Sequence, residues 1–218
     1  MKLIIAEKPS LARNILAGIA RLQDDKMVKR DGFYEGGDYV VTWVFGHLFS
    51  LADIEDYTGK AVGKWSLEDL PCFPKEFKFA LKKNDKKEID PGVKKQFNTI
   101  KYLCNRQNID TIVNAGDADR EGEIIVRLCV SHALEKEKSF VRLWLPDQTP
   151  ETISEALGNM KSESEYTSLA NEGFARTYID WLYGVNLTRF ATIKTGKLLR
   201  VGRVIVPIVK AIYDRDLE

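Results

Sequence analysis

The sequence has few of the residues that build disulfide frameworks or zinc sites. It has three cysteines, Cys72, Cys104 and Cys129, with no CxxC spacing among them, and two histidines. Three scattered thiols exclude a paired disulfide framework and a cysteine-rich zinc site, and they suit a reducing compartment. We therefore expect a cytoplasmic protein that folds around an ordinary apolar core.

Long apolar runs and a large net charge are also missing. No run approaches the roughly 20 apolar residues of a membrane helix, and the first residues lack a signal-peptide pattern. Lys and Arg number 33 against 32 Asp and Glu in 218 residues, a net charge of +1. This length suits one large domain, or a medium domain plus part of another. Because the total charge is near zero, any hint of a charged partner must come from how the charge is distributed.

Short apolar segments alternate with amphipathic ones up to about residue 150. Strands are predicted at 3–6, 111–113 and 140–145, a hairpin at 33–45, and helices after Ser10, at 91–106 and at 124–134. Ser10 is the expected N-cap of the first helix. The segment 53–87 is expected to be irregular, with a short strand near 77–81. This alternation predicts an α/β domain with a mainly parallel sheet over residues 1–150.

The pattern becomes helical after Pro150. Helices are predicted at 149–160 and 168–190, with no further strand, so we place a domain boundary near Pro150 and a helical domain at 151–218. From 181 to 213 there is no Asp or Glu, but there are six basic residues: Arg189, Lys194, Lys197, Arg200, Arg203 and Lys210. This stretch is either a solvated helix face or a surface that binds phosphates.

The segment 114–123 is the most informative part of the sequence. It lies between a predicted strand and a predicted helix, which is where ligand sites form in α/β sheets. Its second part, 117–123, has four acids against one arginine. Asp117, Asp119 and Glu121 offer three hard oxygen ligands that suit Mg²⁺. The alternative is an acidic loop that caps the N-terminus of the helix.

Glu7 and Lys8 occupy the equivalent place after the first strand. Because parallel strands can bring their following loops to one sheet edge, Glu7 can join the acids, and Lys8 can face a phosphate oxygen or a developing alkoxide. The alternatives are a surface glutamate and an ordinary salt bridge.

Several motifs together resemble the type IA DNA topoisomerases, and among them the bacterial topoisomerase III group. The runs LIIAEKPSLA and NAGDADREGE resemble the paired motifs of the TOPRIM domain, which has a Rossmann-like fold. The runs VTWVFGHLFSL, WSLEDLPCFP, RLWL, ARTYIDWLYGVNLTRF and VGRV extend the resemblance over nearly the whole chain. The resemblance implies a TOPRIM domain followed by part of an all-α domain that binds single-stranded DNA.

The resemblance also implies roles for individual residues. Glu7 matches a catalytic glutamate, Lys8 a lysine at the scissile phosphate, and Asp117, Asp119 and Glu121 the acids that hold Mg²⁺. His47 matches a histidine near the active site, and a purely structural histidine is an equal alternative. The DNA-binding groove is implied to continue over Arg176, Asp180, Asn186, Arg189, Arg200 and Arg203.

Two departures from the family pattern stand out. Ile205 replaces a glutamine that usually follows the GRV motif, which removes its hydrogen bonds. None of the eight tyrosines has the sequence context of the family's nucleophilic tyrosine. We therefore expect an N-terminal fragment that lacks the nucleophile and the C-terminal domains of its parent, and that is by itself inactive in cleaving strands.

The implied parent reaction is ATP-independent cleavage, passage and resealing of single DNA strands through a 5′-phosphotyrosine. The expected partner is single-stranded or negatively supercoiled DNA, not a membrane. Two alternatives stay open: a TOPRIM nuclease or primase that uses the same acids, and a non-catalytic module that binds single-stranded DNA.

Overall fold

A computed structural model of the chain describes residues 1–60, 63–84, 86 and 88–217. They form two compact units, Met1–Ser50 with Leu81–Gly173, and Leu51–Ala80 with Phe174–Glu218. Each unit combines separate stretches of chain, and the predicted division of the sequence near Pro150 stays a prediction. Positions 61, 62, 85 and 87 of the segment predicted to be irregular, and the last residue, lie outside the described residues.

The first unit is built on a seven-stranded sheet. The strands of the described chain are β1 (Lys2–Ala6), β2 (Val28–Arg30), β3 (Phe33–Gly36), β4 (Tyr39–Trp43), β5 (Phe49–Leu51), β6 (Phe79–Leu81), β7 (Thr111–Ala115), β8 (Ser139–Arg142) and β9 (Lys161–Ser162). The order in the large sheet is β2-β3-β4-β1-β7-β8-β9, and β5 pairs with β6 separately.

The four central strands β4, β1, β7 and β8 are parallel, and antiparallel pairs lie at both edges. The predicted α/β fold is therefore confirmed, and so is the β3–β4 hairpin. The expectation of no strand after Pro150 is wrong, because β9 pairs antiparallel with β8. Two residues are too few for a recognisable alternation of apolar and polar side chains.

The described chain has seven helices, and those at 9–19, 91–104, 120–133, 150–158 and 167–195 lie close to the predicted ones. They are α1 (Pro9–Ile19), α2 (Ile54–Thr58), α3 (Pro91–Cys104), α4 (Arg120–Ala133), α5 (Pro150–Gly158), α6 (Thr167–Thr195) and α7 (Ile205–Leu217). Within the described residues, no helix has the length and apolar content needed to cross a membrane. The α2 helix corrects the view of 53–87 as irregular, and it is held by a capping box between Asp53 and Asp56.

The start of α1 also differs from the prediction. Lys8, not Ser10, is the N-cap, and it makes no side-chain capping bond. Pro9 stands at the first helical position, where its fixed φ suits the helix and its missing N–H costs nothing. The helix therefore begins earlier in the chain than the serine indicates, and the Lys8 side chain is available for other contacts.

Two pairs of helices cover the central strands. The apolar core beside α1 and α5 includes Ile4 and Val113 together with Leu11 and Ile153. Asn114, the next residue of β7, bonds to α4 instead. Because successive strand residues point to opposite faces, α1 with α5 and α4 with its neighbour α3 lie on opposite sides of the sheet.

The second unit is held by aromatic contacts between its two stretches of chain. Phe77 stacks on Tyr178 of α6 with ring centroids 4.2 Å apart, and Trp181 meets Phe77 edge-on at 5.7 Å. The Trp181 Nε1–H donates to the Ala52 carbonyl at 3.0 Å. Trp181 is thus half-buried and links α6 to the first stretch of the unit.

A close backbone approach joins β7 to α4. A Cβ added to Gly116 would lie 1.9 Å from the Gly122 carbonyl oxygen, and one added to Gly122 would lie 2.4 Å from both the nitrogen and the oxygen of Asp117. Any larger residue would push the loop 116–119 away from the start of the helix. These two glycines therefore fix the path of the acidic segment.

Truncation of a core leucine tests the packing of the first unit. Leu11→Ala should lower the free energy of unfolding by about 2–5 kcal/mol, because Leu11 is 0 % exposed and packs against the sheet. Leu22→Ala is the matched control, since Leu22 is 48 % exposed, and it should change stability far less. Urea denaturation measures both, and equal losses would contradict this core assignment.

The glycine junction gives a second test. Gly122→Ala should lower the free energy of unfolding by about 1–3 kcal/mol, because the methyl group overlaps backbone atoms that have little room to move. Gly158→Ala is the control, since a Cβ there meets nothing within 4 Å. It should leave stability unchanged or slightly raised, as alanine favours a helix. A harmless Gly122→Ala would show that the loop has another path.

Candidate active site at the carboxyl edge of the sheet

The register of the parallel strands brings three loops together. Ala6 at the end of β1 pairs with Trp43 of β4 on one side and with Ala115 of β7 on the other. The residues that follow these strands therefore meet at one sheet edge. The Gly46 N–H donates to the Glu7 carbonyl at 3.1 Å, which ties the β4 loop to the β1 loop.

Glu7 and Lys8 both contact the acidic loop. The Asp117 N–H donates to Glu7 Oε2 at 3.0 Å, and Lys8 Nζ donates to Asp117 Oδ2 at 2.5 Å. Burial raises the pKa of the Glu7 carboxyl above its ordinary value, and the charge of Asp117 adds to this. The hydrogen bond to Asp117 raises the pKa of Lys8, which favours its charged form. The result is a carboxyl that holds a proton more readily than usual, beside a fixed cation.

The other two acids of the predicted triad face protein partners. Asp119 is the N-cap of α4, and its Oδ1 accepts the Gly122 N–H at 2.7 Å. Glu121 Oε2 lies 3.2 Å from His47 Nε2. His47 therefore does lie beside the acidic segment. The structure brings Glu7, Lys8 and Asp117 into direct contact and engages Asp119 and Glu121 separately.

The oxygens fit the chemistry of a hard cation, but their arrangement is not that of a complete metal site. Asp117 Oδ1 is buried and has no hydrogen-bond partner in the described part of the chain. A buried carboxylate oxygen of this kind calls for a cation or a donor. Among the described residues, however, no three His, Cys, Asp or Glu side chains are grouped to hold a metal ion. Asp119 uses its Oδ1 to accept the Gly122 N–H, and Glu121 has its Oε2 beside His47.

Three residues predicted to bind DNA meet in the second unit. Arg176 and Asp180 form the i,i+4 pair expected on α6, with 3.6 Å between Nε and Oδ2. Arg203 pairs with the same carboxylate. One acid thus links two arginines from separate parts of the unit, and the role of all three in binding DNA stays a prediction.

Three other predicted groove residues differ in their surroundings. Asn186 accepts the Cys72 N–H at 2.7 Å and donates to the Cys72 carbonyl at 3.1 Å. Arg189 is buried and contacts two acids and an aromatic ring. Its partners are Asp53 Oδ1 at 2.6 Å and Glu55 Oε2 at 2.7 Å, both from Nη2, and the ring of Trp65, whose centroid is 5.0 Å from the guanidinium. Arg200 is exposed. Asn186 and Arg189 therefore contact other parts of the unit, Arg200 faces solvent, and the role of all three in binding DNA stays a prediction.

Sequence reasoning missed a buried charged cluster below the acidic loop. Arg142 of β8 lies 2.9 Å from Glu123 of α4, measured from Nε to Oε2, and both side chains are fully buried. Arg127 also contacts Glu123, at 2.8 Å, and Glu163 at 3.2 Å. The sequence feature that could have revealed this cluster is Arg142 itself, an arginine inside the apolar strand segment 140–145. Charged side chains are rarely buried without partners, so an arginine in a buried strand indicates buried acids nearby.

Glu163 is the member of this cluster whose pKa lies close to neutral pH. It is buried, and its Oε1 accepts the Asn114 Nδ2–H at 2.8 Å. Burial and the neighbouring Glu123 raise the pKa of Glu163 to about 8. The carboxyl is therefore largely protonated in the folded protein at neutral pH.

This raised pKa predicts a pH-dependent stability. Between the ordinary value of 4.5 and about 8, the folded state binds one proton more than the unfolded state. The contribution of the protonated Glu163 to the free energy of unfolding is thus fully present below pH 4.5. It is lost as the pH rises to about 8, by up to about 1.4 kcal/mol per pH unit. Urea denaturation from pH 5 to pH 8 should show a shallower decline for Glu163→Gln than for wild type. Glu165→Gln, at an exposed position, should follow wild type.

Comparison with known families agrees with this architecture. The Toprim domain family matches residues 2–145, and the bacterial DNA topoisomerase family matches residues 164–218. DNA topoisomerase 3 of Bacillus subtilis is 37% identical over 215 residues, covering 99% of this chain and 28% of that protein. DNA topoisomerase 3 of Bacillus cereus is 39% identical over 216 residues, covering 99% of this chain and 27% of that protein.

The chain thus spans little more than a quarter of the length of these relatives. The Toprim match covers more than half of the chain, and it coincides with the sheet and the loops that carry Glu7, Lys8 and Asp117. The chain therefore belongs to the Toprim family, as a type IA topoisomerase sequence close to topoisomerase III.

Proposed function

We propose that this chain supplies the acidic half of the active site of a DNA topoisomerase that cleaves and reseals single DNA strands. The observation that carries the proposal is the contact of Glu7 and Lys8 with the Asp117 loop at the carboxyl edge of the sheet. It joins a carboxyl of raised pKa, a fixed cation and an acidic loop within one site. Such groups can assist phosphoryl transfer by moving a proton, by stabilising developing charge and by holding a metal ion.

In the proposed reaction, a tyrosine oxygen attacks a DNA phosphorus and the bond from phosphorus to the 3′-oxygen breaks. This leaves a 5′-phosphotyrosine and a 3′-hydroxyl, and the reverse attack reseals the strand without ATP. Glu7 is suited to give a proton to the leaving 3′-oxygen and to take it back, because burial raises its pKa. Lys8 is suited to stabilise the charge of the phosphate oxygens.

Magnesium is the proposed cofactor. Asp117, Asp119 and Glu121 would hold it, with Asp117 Oδ1 as the oxygen that lacks a partner in the described chain. When bound, the ion supplies charge neutralisation at the phosphate. His47 would act through Glu121, by holding that carboxylate or releasing it.

The attacking tyrosine is proposed to lie outside these 218 residues. In the described part of the chain, no tyrosine is among the hydrogen-bonded or ion-pair partners of Glu7, Lys8 and Asp117. The proposed DNA partner is single-stranded, gripped through its backbone, and the affinity should fall as salt rises.

Incubation with negatively supercoiled plasmid and Mg²⁺ tests this proposal directly. The isolated chain should leave the plasmid supercoiled, because it lacks the attacking group. Nicked or relaxed plasmid on the gel would instead favour a self-sufficient Toprim nuclease, and the assignment of an external tyrosine would be wrong.

The acids are tested in a longer protein that contains this chain and the tyrosine. Asp117→Ala combined with Asp119→Ala should abolish Mg²⁺-dependent cleavage and leave binding of single strands measurable. The control, Asp24→Ala with Asp25→Ala, removes two exposed acids of the same unit and should cleave normally. Unchanged cleavage by the first double variant would remove the metal-site assignment.

A further inference from the structure

We propose that Arg142 is a positioning residue that fixes the path of the acidic loop, residues 116–119, by hydrogen bonds to its backbone. Its guanidinium binds the backbone carbonyls of the loop, so that the loop's amides and acidic side chains are directed to the sheet edge. The consequence for metal and phosphate binding rests on the proposed function. The positioning itself is a property of the fold and can be measured without DNA or metal.

Arg142 makes an unusual number of bonds to backbone oxygens. Its Nη1 donates to the carbonyls of Asn114 at 3.1 Å, Gly116 at 2.9 Å and Leu143 at 2.9 Å, and its Nη2 donates to that of Asp117 at 2.7 Å. Three of these four carbonyls belong to the end of β7 and the first residues of the acidic loop. Gly116 and Asp117 lie beyond the end of β7, so their carbonyls are outside the ladder of the sheet and need other donors. The Asn114 carbonyl is still in the ladder, where it also accepts the Leu143 N–H at 2.9 Å.

Only a guanidinium can satisfy this set. Arginine carries five N–H donors in a planar fork, whereas the lysine ammonium has three donors at a single point. The Arg142 guanidinium is also packed against the ring of Trp144, 4.9 Å from its centroid. Its charge is balanced by the fully buried Glu123. Both the terminal nitrogens and the charge are therefore accounted for inside the protein, and neither is directed at an external ligand.

The orientation of the loop follows from these bonds. With the Gly116 and Asp117 carbonyls turned to Arg142, the Asp117 N–H is directed at Glu7 Oε2, 3.0 Å away. The Asp119 N–H closes the loop by donating to the Asp117 carbonyl at 2.8 Å. Loss of the guanidinium would leave the buried Gly116 carbonyl without a donor among the described residues, whereas the Asn114 and Asp117 carbonyls would keep the N–H groups of Leu143 and Asp119. An unpaired buried carbonyl costs more than a normal hydrogen bond contributes. The loop would then rearrange to reach water.

Arg127 provides a matched control within the same cluster. It also forms ion pairs with Glu123 and Glu163, and it donates to the Glu163 carbonyl at 2.9 Å. Among the described residues it has no bond to the carbonyls of Asn114, Gly116 or Asp117. Arg142→Lys and Arg127→Lys both keep the charge, so they differ in whether the loop loses its donors.

Amide hydrogen exchange of the metal-free chain tests the proposal. Arg142→Lys should speed exchange at the amides of Gly116, Asp117 and Asp119 by about tenfold relative to the amides of β1. The β1 amides report global opening, and division by their rate removes any general loss of stability. Arg127→Lys should leave this ratio within about twofold of wild type.

If Arg142→Lys leaves the ratio unchanged, or if both variants raise it equally, the side chain is merely structural and the proposal is overturned. Should the Arg142→Lys protein be too unstable to isolate, Trp144→Leu takes its place. That substitution removes the ring against the guanidinium and should raise the same ratio by a smaller factor. An unchanged ratio in that variant would count equally against the proposal.

Calorimetric titration with Mg²⁺ alone separates this inference from the proposed function. Wild type should bind the ion, Arg142→Lys about tenfold more weakly, and Arg127→Lys as wild type does. If wild type binds no Mg²⁺, the metal part of the proposed function fails while the exchange ratio still decides the role of Arg142. If Arg142→Lys loosens the loop but binds Mg²⁺ as tightly as wild type, the proposed link between loop position and the ion is wrong.

Discussion

Parallel pairing of β1 with both β4 and β7 is the constraint on which the site depends. Because the last residues of these three strands are in register, the loops that follow them begin at the same level of the sheet. Side chains more than one hundred positions apart in sequence, such as Lys8 and Asp117, can then form a bond of 2.5 Å. A slip of one residue in either pairing would turn Ala6 and its neighbours to the wrong face and separate these groups.

The acidic loop is stable in the free protein because each carboxylate has a different means of compensation. Asp117 is paired with a lysine, Asp119 caps a helix whose N-terminus carries partial positive charge, and Glu121 lies beside His47. These partners are weaker than a divalent cation at short range, and two of them are partly exposed. The three neighbouring carboxylates are therefore stabilised without a metal ion. Any of these contacts that an ion displaced would reduce the free energy gained by binding the ion.

The sequence was sufficient for the main strands and helices of the first unit, since their periodicity is clear and their cores are apolar. It was also sufficient to bring Glu7, Lys8 and Asp117 to one edge, because that follows from parallel strands. The buried cluster of Arg142, Glu123 and Glu163 could not be predicted from the sequence. Each of these residues reads locally as a surface charge, and their burial depends on contacts between β8, α4 and the segment after α5 that no short window contains.

The same limit applies to the basic stretch 181–213, whose count of six cations overstates its positive surface. Arg189 is neutralised by Asp53 and Glu55, which lie more than 130 positions earlier, and Lys210 by Asp214, just beyond the stretch. Arg203 shares Asp180 with Arg176. Among the described residues, the exposed cations of this stretch that form no ion pair are Lys194, Lys197 and Arg200, around the end of α6. Since phosphates bind to accessible charge, the contribution of the stretch 181–213 to binding a DNA backbone should come mainly from these three cations, and not from all six.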